Sequence, residues 1–323
     1  MKSSGPNTNE SWWRQYNYWH ETVLAMLIVG LLLSASVLSP SFTTVKTQVG
    51  LSSDMWELAL LALPMTLIII TAGIDLSIGS IMALSAVVLG MTFEAGANPW
   101  VAAMCGIMAG TACGVFNGLT VAKLKVHPLI VTLATLAAFR GIAEGISLGR
   151  PISGFPASFT ELGTGTFGGV PIPGLIFGVL ALLFAIALAR TPFGLSIYAI
   201  GHNPLASRYS GLPVARITVA VYALAGTVAG LAAAIYVARR NTAKADIGTG
   251  LELDVITAVV LGGTSIFGGS GRILGTLLGV LAIHQTRKFV GWYWDREELN
   301  FIVVGVLLIA AVLLNRLFDK KTK

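Results

Sequence analysis

GHNPLASRYSG (201–211) is a polar, arginine-bearing insert between two long apolar runs, one ending near Arg190 and the other beginning near Val214. Its Asn203-Pro204 pair is a turn signal. Backbone in contact with lipid has to be continuous helix or closed barrel. A short polar helix in this position therefore lies outside a bilayer and presents a surface to a soluble neighbour.

The surroundings of the insert set the class. Of 323 residues, 55% are hydrophobic and 11% charged, with a mean hydropathy of +0.80. Soluble domains carry roughly 25% charge. Apolar runs of about 17 to 25 residues recur along the chain, each long enough to cross a hydrocarbon core as a helix. The reading is an all-α, polytopic membrane protein of about ten transmembrane helices, at 22–38, 56–71, 78–93, 100–119, 127–148, 174–189, 214–237, 251–261, 273–290 and 300–317. Residues 1–21 form a cytoplasmic N-terminal segment, 22–317 the transmembrane domain with the insert at 201–213, and 318–323 a basic cytoplasmic tail. No small-residue cleavage site follows the first run, so it is expected to be a retained span. Trp12, Trp13, Tyr16, Tyr18 and Trp19 before it read as an interfacial aromatic group.

The net charge of +6 reflects membrane orientation rather than nucleic-acid binding, because the basic residues sit in short loops and at span ends. With the N-terminus inside, twelve of the 21 Lys and Arg fall on the cytoplasmic side, and the insert falls there too. The two cysteines, Cys105 and Cys113, lie roughly 12 Å apart along one helix, too far for a disulfide.

Two interrupted stretches resemble one another. Ala72-Gly73…Gly79-Ser80 and Gly262-Gly263…Gly269-Ser270 share one spacing, the pattern of an internal repeat around a central pathway. Asp75 in the first either caps the helix after it or lines the pathway. Ser77, Asn117, Gly262 and Gly263 join it as pathway or loop candidates. Arg140 and Glu144, at i,i+4, read first as a mutually neutralised pair, with a proton or ion relay as the alternative. Glu252 and Asp254 read as an acidic helix start. Gly106, Gly110 and Gly114, with Ala223, Gly226 and Gly230, read as close helix packing.

No catalytic constellation is present. Four histidines are scattered, no Cys or His spacing suits a metal, and the glycine-rich 262–271 lacks the lysine of a phosphate loop. The chain is not expected to be an enzyme or to bind a metal or cofactor of its own. If ATP powers it, the ATPase is another polypeptide.

Four stretches in order carry a resemblance: TLIIITAGIDLSIGSIMAL (66–84), NGLTVAKLKVHPLIVTLATLAAFRGI (117–142), GHNPLASRYSGLPV (201–214) and GTGLELDVITAVVLGGTSIFGGSGRILGTLLG (248–279). Together they resemble the permease subunits of bacterial monosaccharide-import ABC transporters, the ribose, xylose, galactose, rhamnose and autoinducer-2 group. The connection 154–173 resembles the autoinducer-2 or rhamnose branch. The resemblance implies a multi-pass inner-membrane subunit that forms the pathway for a monosaccharide or similar small polyol. It implies a second permease copy or relative, a periplasmic sugar-binding protein, and a cytoplasmic ATP-binding subunit that carries ATP and Mg. It assigns Gly201, Asn203, Pro204, Ala206, Arg208, Ser210 and Gly211 to coupling with that ATPase. The alternative is a secondary transporter or channel for a small polar solute.

Overall fold

The computed structural model describes residues 19–294, with 299, 300, 302, 303, 305–307 and 309. The aromatic group before Trp19, most of the expected tenth span and the basic tail lie outside the described residues.

The helices are α1 (Trp19–Leu38), α2 (Val45–Ser52), α3 (Trp56–Ile70), α4 (Ile78–Glu94), α5 (Pro99–Leu124), α6 (Pro128–Ser147), α7 (Ala157–Thr164), α8 (Ile172–Arg190), α9 (Pro192–His202), α10 (Pro204–Tyr209), α11 (Val214–Arg240), α12 (Leu251–Leu261) and α13 (Ile273–Trp294). Two-residue strands β1 (Ile152–Ser153), β2 (Thr166–Phe167), β3 (Val170–Pro171) and β4 (Thr242–Ala243) make two antiparallel pairs, β1 with β4 and β2 with β3. The chain is all-α in its spanning part. Among the described residues five helices, α1, α5, α6, α8 and α11, are long and apolar enough to cross a membrane. The bent pair α2 and α3, turned by 60° at its break, makes a sixth.

α3 is the centre. Every residue from Glu57 to Ile70 is buried, which fits its apolar character on all sides. In lipid, such burial is not driven by water exclusion, so helices associate through close packing and internal hydrogen bonds. Both are present. Gly110 and Gly114 of α5 lie against the backbone of Gly226 and Tyr222 on α11, with no room for a β-carbon at either position. The hydroxyls of Thr66 on α3 and Thr276 on α13 are 2.7 Å apart.

Opposite ends of the bundle differ. At one end, Arg239 donates to Asp54 Oδ1 at 2.7 Å and to Glu57 Oε1 at 2.9 Å, and Lys288 donates to Asp54 Oδ2 at 2.6 Å. Around the same end, Phe93 stacks on Phe155 at 4.4 Å between centroids, and Trp100 meets Phe159 edge-on. The other end carries α9, α10 and the two interruptions, residues 71–77 and 262–272.

Candidate functional site

The insert is two helices rather than one. Thr191 caps α9 by accepting from Gly194 N, and the chain turns at Asn203, whose extended backbone (φ −159°) starts α10. The Asn203 Oδ1 atom accepts from Ala206 N at 2.9 Å, satisfying one of the orphan donors of the first turn. Pro204 sits at the first helical position, where its missing N–H costs nothing. The far end closes on Gly211 with φ 85°: Gly211 N bonds Arg208 O and Leu212 N bonds Ser207 O. This left-handed ending favours glycine. A six-residue helix is marginal alone, and these two caps define it.

Five of its six residues, Pro204, Leu205, Ala206, Arg208 and Tyr209, are exposed, and Ser207 is the buried one. Leu205 and Tyr209 are 62% and 85% exposed and stand four residues apart on one face. Sequence reading selected Asn203, Pro204, Ala206, Arg208, Ser210 and Gly211 here and passed over this apolar pair, whose spacing was the available signal.

Gly201 occupies a different place. It is buried at the end of α9, where a β-carbon would overlap the Ile70 carbonyl oxygen and the Gly269 nitrogen. Those two atoms hydrogen-bond each other at 2.8 Å. The end of α9, the end of α3 and the 262–272 interruption thus meet backbone to backbone. Tyr198 adds a bond from its hydroxyl to Gly271 O at 2.7 Å. Glycine is needed at 201 for this approach, and at 268 and 269 (φ 86° and 76°) for the left-handed turn against it.

Gly262 and Gly263 lie beside this seam. Gly262 packs on the backbone of Gly275 and Thr276, and Gly263, at φ 88°, lies against the His20 ring. A cavity of about 220 Å³ opens here among His20, Glu21, Tyr198, Gly262, Gly263 and Arg272.

Asp75, Ser77 and Asn117 form a separate, fully buried group. Asp75 Oδ1 accepts from Ser77 N at 2.8 Å and from Ser77 Oγ at 2.6 Å, and Asn117 Nδ2 donates to Ser77 Oγ at 2.8 Å. Thr132 Oγ1 donates to Ile74 O at 3.1 Å, tying α6 to the same interruption. This group and the Gly262–Gly263 group are distinct places in the fold.

Arg140 and Glu144 are not ion-paired among the described residues. The Arg140 guanidinium instead donates to the carbonyls of Ala245 and of Ile247, the latter at 2.8 Å. The expected pair fails because bare carbonyls of a non-helical segment compete for the same donors. Glu252 and Asp254 do open α12, and Asp254 pairs with Arg287 of α13. Cys105 and Cys113 are free. Among the described residues no three His, Cys, Asp or Glu side chains gather as a metal site would require.

The family described as "branched-chain amino acid transport system / permease component" matches residues 47–312. The chain belongs to this family. The permease is 39% identical over 288 residues to the ribose import permease protein of Bacillus subtilis, covering 88% of this chain and 89% of that one. It is 35% identical over 306 residues to an autoinducer 2 import system permease protein of Yersinia pseudotuberculosis, covering 93% and 91%. A Klebsiella pneumoniae protein of the same description is 34% identical over 301 residues, covering 91% and 90%. No solved structure matches the permease. With several spanning helices of its own, it is a multi-pass inner-membrane protein.

Proposed function

We propose that this permease is the pathway-forming subunit of an ATP-driven importer for a monosaccharide or similar small polyol. The names of its relatives make ribose and autoinducer 2 the first solutes to test. Its expected partners are a cytoplasmic ATP-binding subunit, which carries the ATP and Mg, a periplasmic sugar-binding protein, and a second permease subunit. One observation carries the reading: α10 is an exposed, doubly capped element whose root at Gly201 is wedged into the seam between α3 and the 262–272 interruption. Such an element can pass rigid-body motion from a soluble motor into the membrane core.

The coupling surface on this reading comprises Asn203, Pro204, Ala206, Arg208, Ser210 and Gly211, with Gly201 as its root. The apolar pair Leu205 and Tyr209 would seat in the ATPase. The interruptions at 71–77 and 262–272, each between two apolar helices, support an internal repeat. Counting α1, α3, α4, α5, α6, α8, α11, α12 and α13 with the run 300–317 gives ten membrane segments and puts both termini on the α10 side, the cytoplasm. Asp75, Ser77 and Asn117 then serve as a buried tie across the first interruption, and Gly262 and Gly263 shape the second.

The test is uptake of radiolabelled ribose and autoinducer 2 in cells carrying the permease with its ATPase and binding protein. Leu205→Asp combined with Tyr209→Ala should remove uptake and the permease's hold on the ATPase in pull-down while membrane abundance stays unchanged. Retained uptake in the double variant, or uptake that persists without any ATPase, would refute the assignment.

A further inference from the structure

The segment between α11 and α12 enters the bundle without being helix. Ala243 packs on Gly90 of α4, and Gly248 packs on Gly79 of the same helix. Those glycines are eleven residues apart, about 16 Å along the helix axis. Gly79 lies roughly 22 Å from the Glu94 end of α4, where Glu94 pairs with Arg150 in the open. The segment therefore descends along most of α4, and in the ten-segment arrangement proposed above α12 starts at depth.

Its faces differ. Ala243, Ala245 and Ile247 are buried against the bundle, whereas Lys244, Asp246 and Thr249 are exposed and Glu252 is half-buried. Arg140, on α6, holds the buried side in place through the carbonyls of Ala245 and Ile247. Arg140 lies roughly 10 Å in from the Ser147 end of its helix, and Glu144 is exposed one turn further on. At Gly141 and Gly145, beside these two charges, an added β-carbon would meet nothing within 4 Å.

Lipid does not tolerate such a surface. Non-helical backbone at membrane depth persists only where it is buried in protein or lines a water-filled cavity, and charged side chains there face water or one another. We propose that Arg140, Glu144, Asp246, Thr249 and Glu252 form the polar wall of the permease's aqueous conduit and contact the hydroxyls of the passing solute. This rests on the transport function proposed above and assigns the wall to residues other than Asp75 and Gly262. Carboxylates and a guanidinium set side by side can accept from and donate to the several hydroxyls of a sugar. With three carboxylates to one guanidinium, or two cations counting Lys244, the wall is net acidic. It favours a neutral polyol over a phosphorylated one.

The experiment places single cysteines in the full-length chain carrying Cys105→Ala and Cys113→Ala. Asp246→Cys and Thr249→Cys test the wall, and Leu182→Cys, on the exposed apolar face of α8, is a control at comparable depth. Membrane fragments open to both faces are treated with the charged thiol reagent 2-(trimethylammonium)ethyl methanethiosulfonate. Only a hydrated, ionisable thiol reacts, so labelling at 246 and 249 should be on the order of tenfold faster than at 182 or more. Unreactive thiols at both wall positions, as lipid or a tightly packed second copy would produce, overturn the proposal, and so does equal labelling at 182. The labelling needs neither ATP nor a binding protein. Failure of ATP-dependent uptake would therefore count against the proposed function and leave this result standing.

Discussion

Gly201→Ala tests whether α10 is rooted in the core or merely tethered to it. The added methyl group falls onto the Ile70 carbonyl oxygen and the Gly269 nitrogen, so their 2.8 Å hydrogen bond has to open or α9 has to move. Leaving that buried pair unsatisfied costs about 1–3 kcal/mol. Overpacking against backbone, which has no rotamer to yield, costs a further ~1–3 kcal/mol. Alanine returns roughly 1 kcal/mol in helix propensity, so the net loss is about 1–5 kcal/mol. The assay is thermal unfolding of the purified permease in detergent, with solute uptake measured in parallel. Gly30→Ala on α1, where an added β-carbon meets nothing within 4 Å, is the control: it should leave uptake unchanged and unfold no lower than the wild type, since only the helix-propensity gain acts there. If Gly201→Ala unfolds at the wild-type temperature and transports at the wild-type rate, the seam is not the rigid joint described here and the coupling argument loses its structural basis.

Two other substitutions probe the frame around that joint. Arg239→Gln leaves Glu57, itself almost wholly buried, without its guanidinium and should cost about 3–5 kcal/mol; adding Glu57→Gln should recover part of the loss in the same unfolding assay. Gly226→Ala drives a methyl group into the Gly110 carbonyl and the Gly114 nitrogen, and the forced separation of α5 and α11 should cost about 1–3 kcal/mol, read as a lower unfolding temperature.

Helix starts were legible in the sequence, because an apolar run that has to satisfy its own backbone in lipid forms a helix. α3, α4, α12 and α13 begin where the runs 56–71, 78–93, 251–261 and 273–290 begin. α9 was not legible: the sixth run ends at 189, and PFGLSIYAI (192–200) after it is too short and too mixed to be read as an element of its own, so the helix that Thr191 caps went unassigned. The Asn-Pro start and glycine end of α10 are local chemistry and could be read directly. Gly201 could not, because its role depends on Ile70 and Gly269, far away in sequence, and the chain holds 37 glycines among which it does not stand out. Arg140 fails for the same reason. The i,i+4 rule sees Glu144 but not the carbonyls of Ala245 and Ile247, which arrive from more than a hundred residues away.

The glycine contact between α5 and α11 has a mechanical consequence. Packed helices slide past one another when intervening side chains switch rotamers and take up the displacement. Where Gly110 and Gly114 meet Gly226 directly, there are no such side chains, and any shift along the axis presses peptide group onto peptide group. α5 and α11 are therefore expected to travel as one strut, and on the proposed coupling role the displacement would be taken up by the elements that join at Gly201.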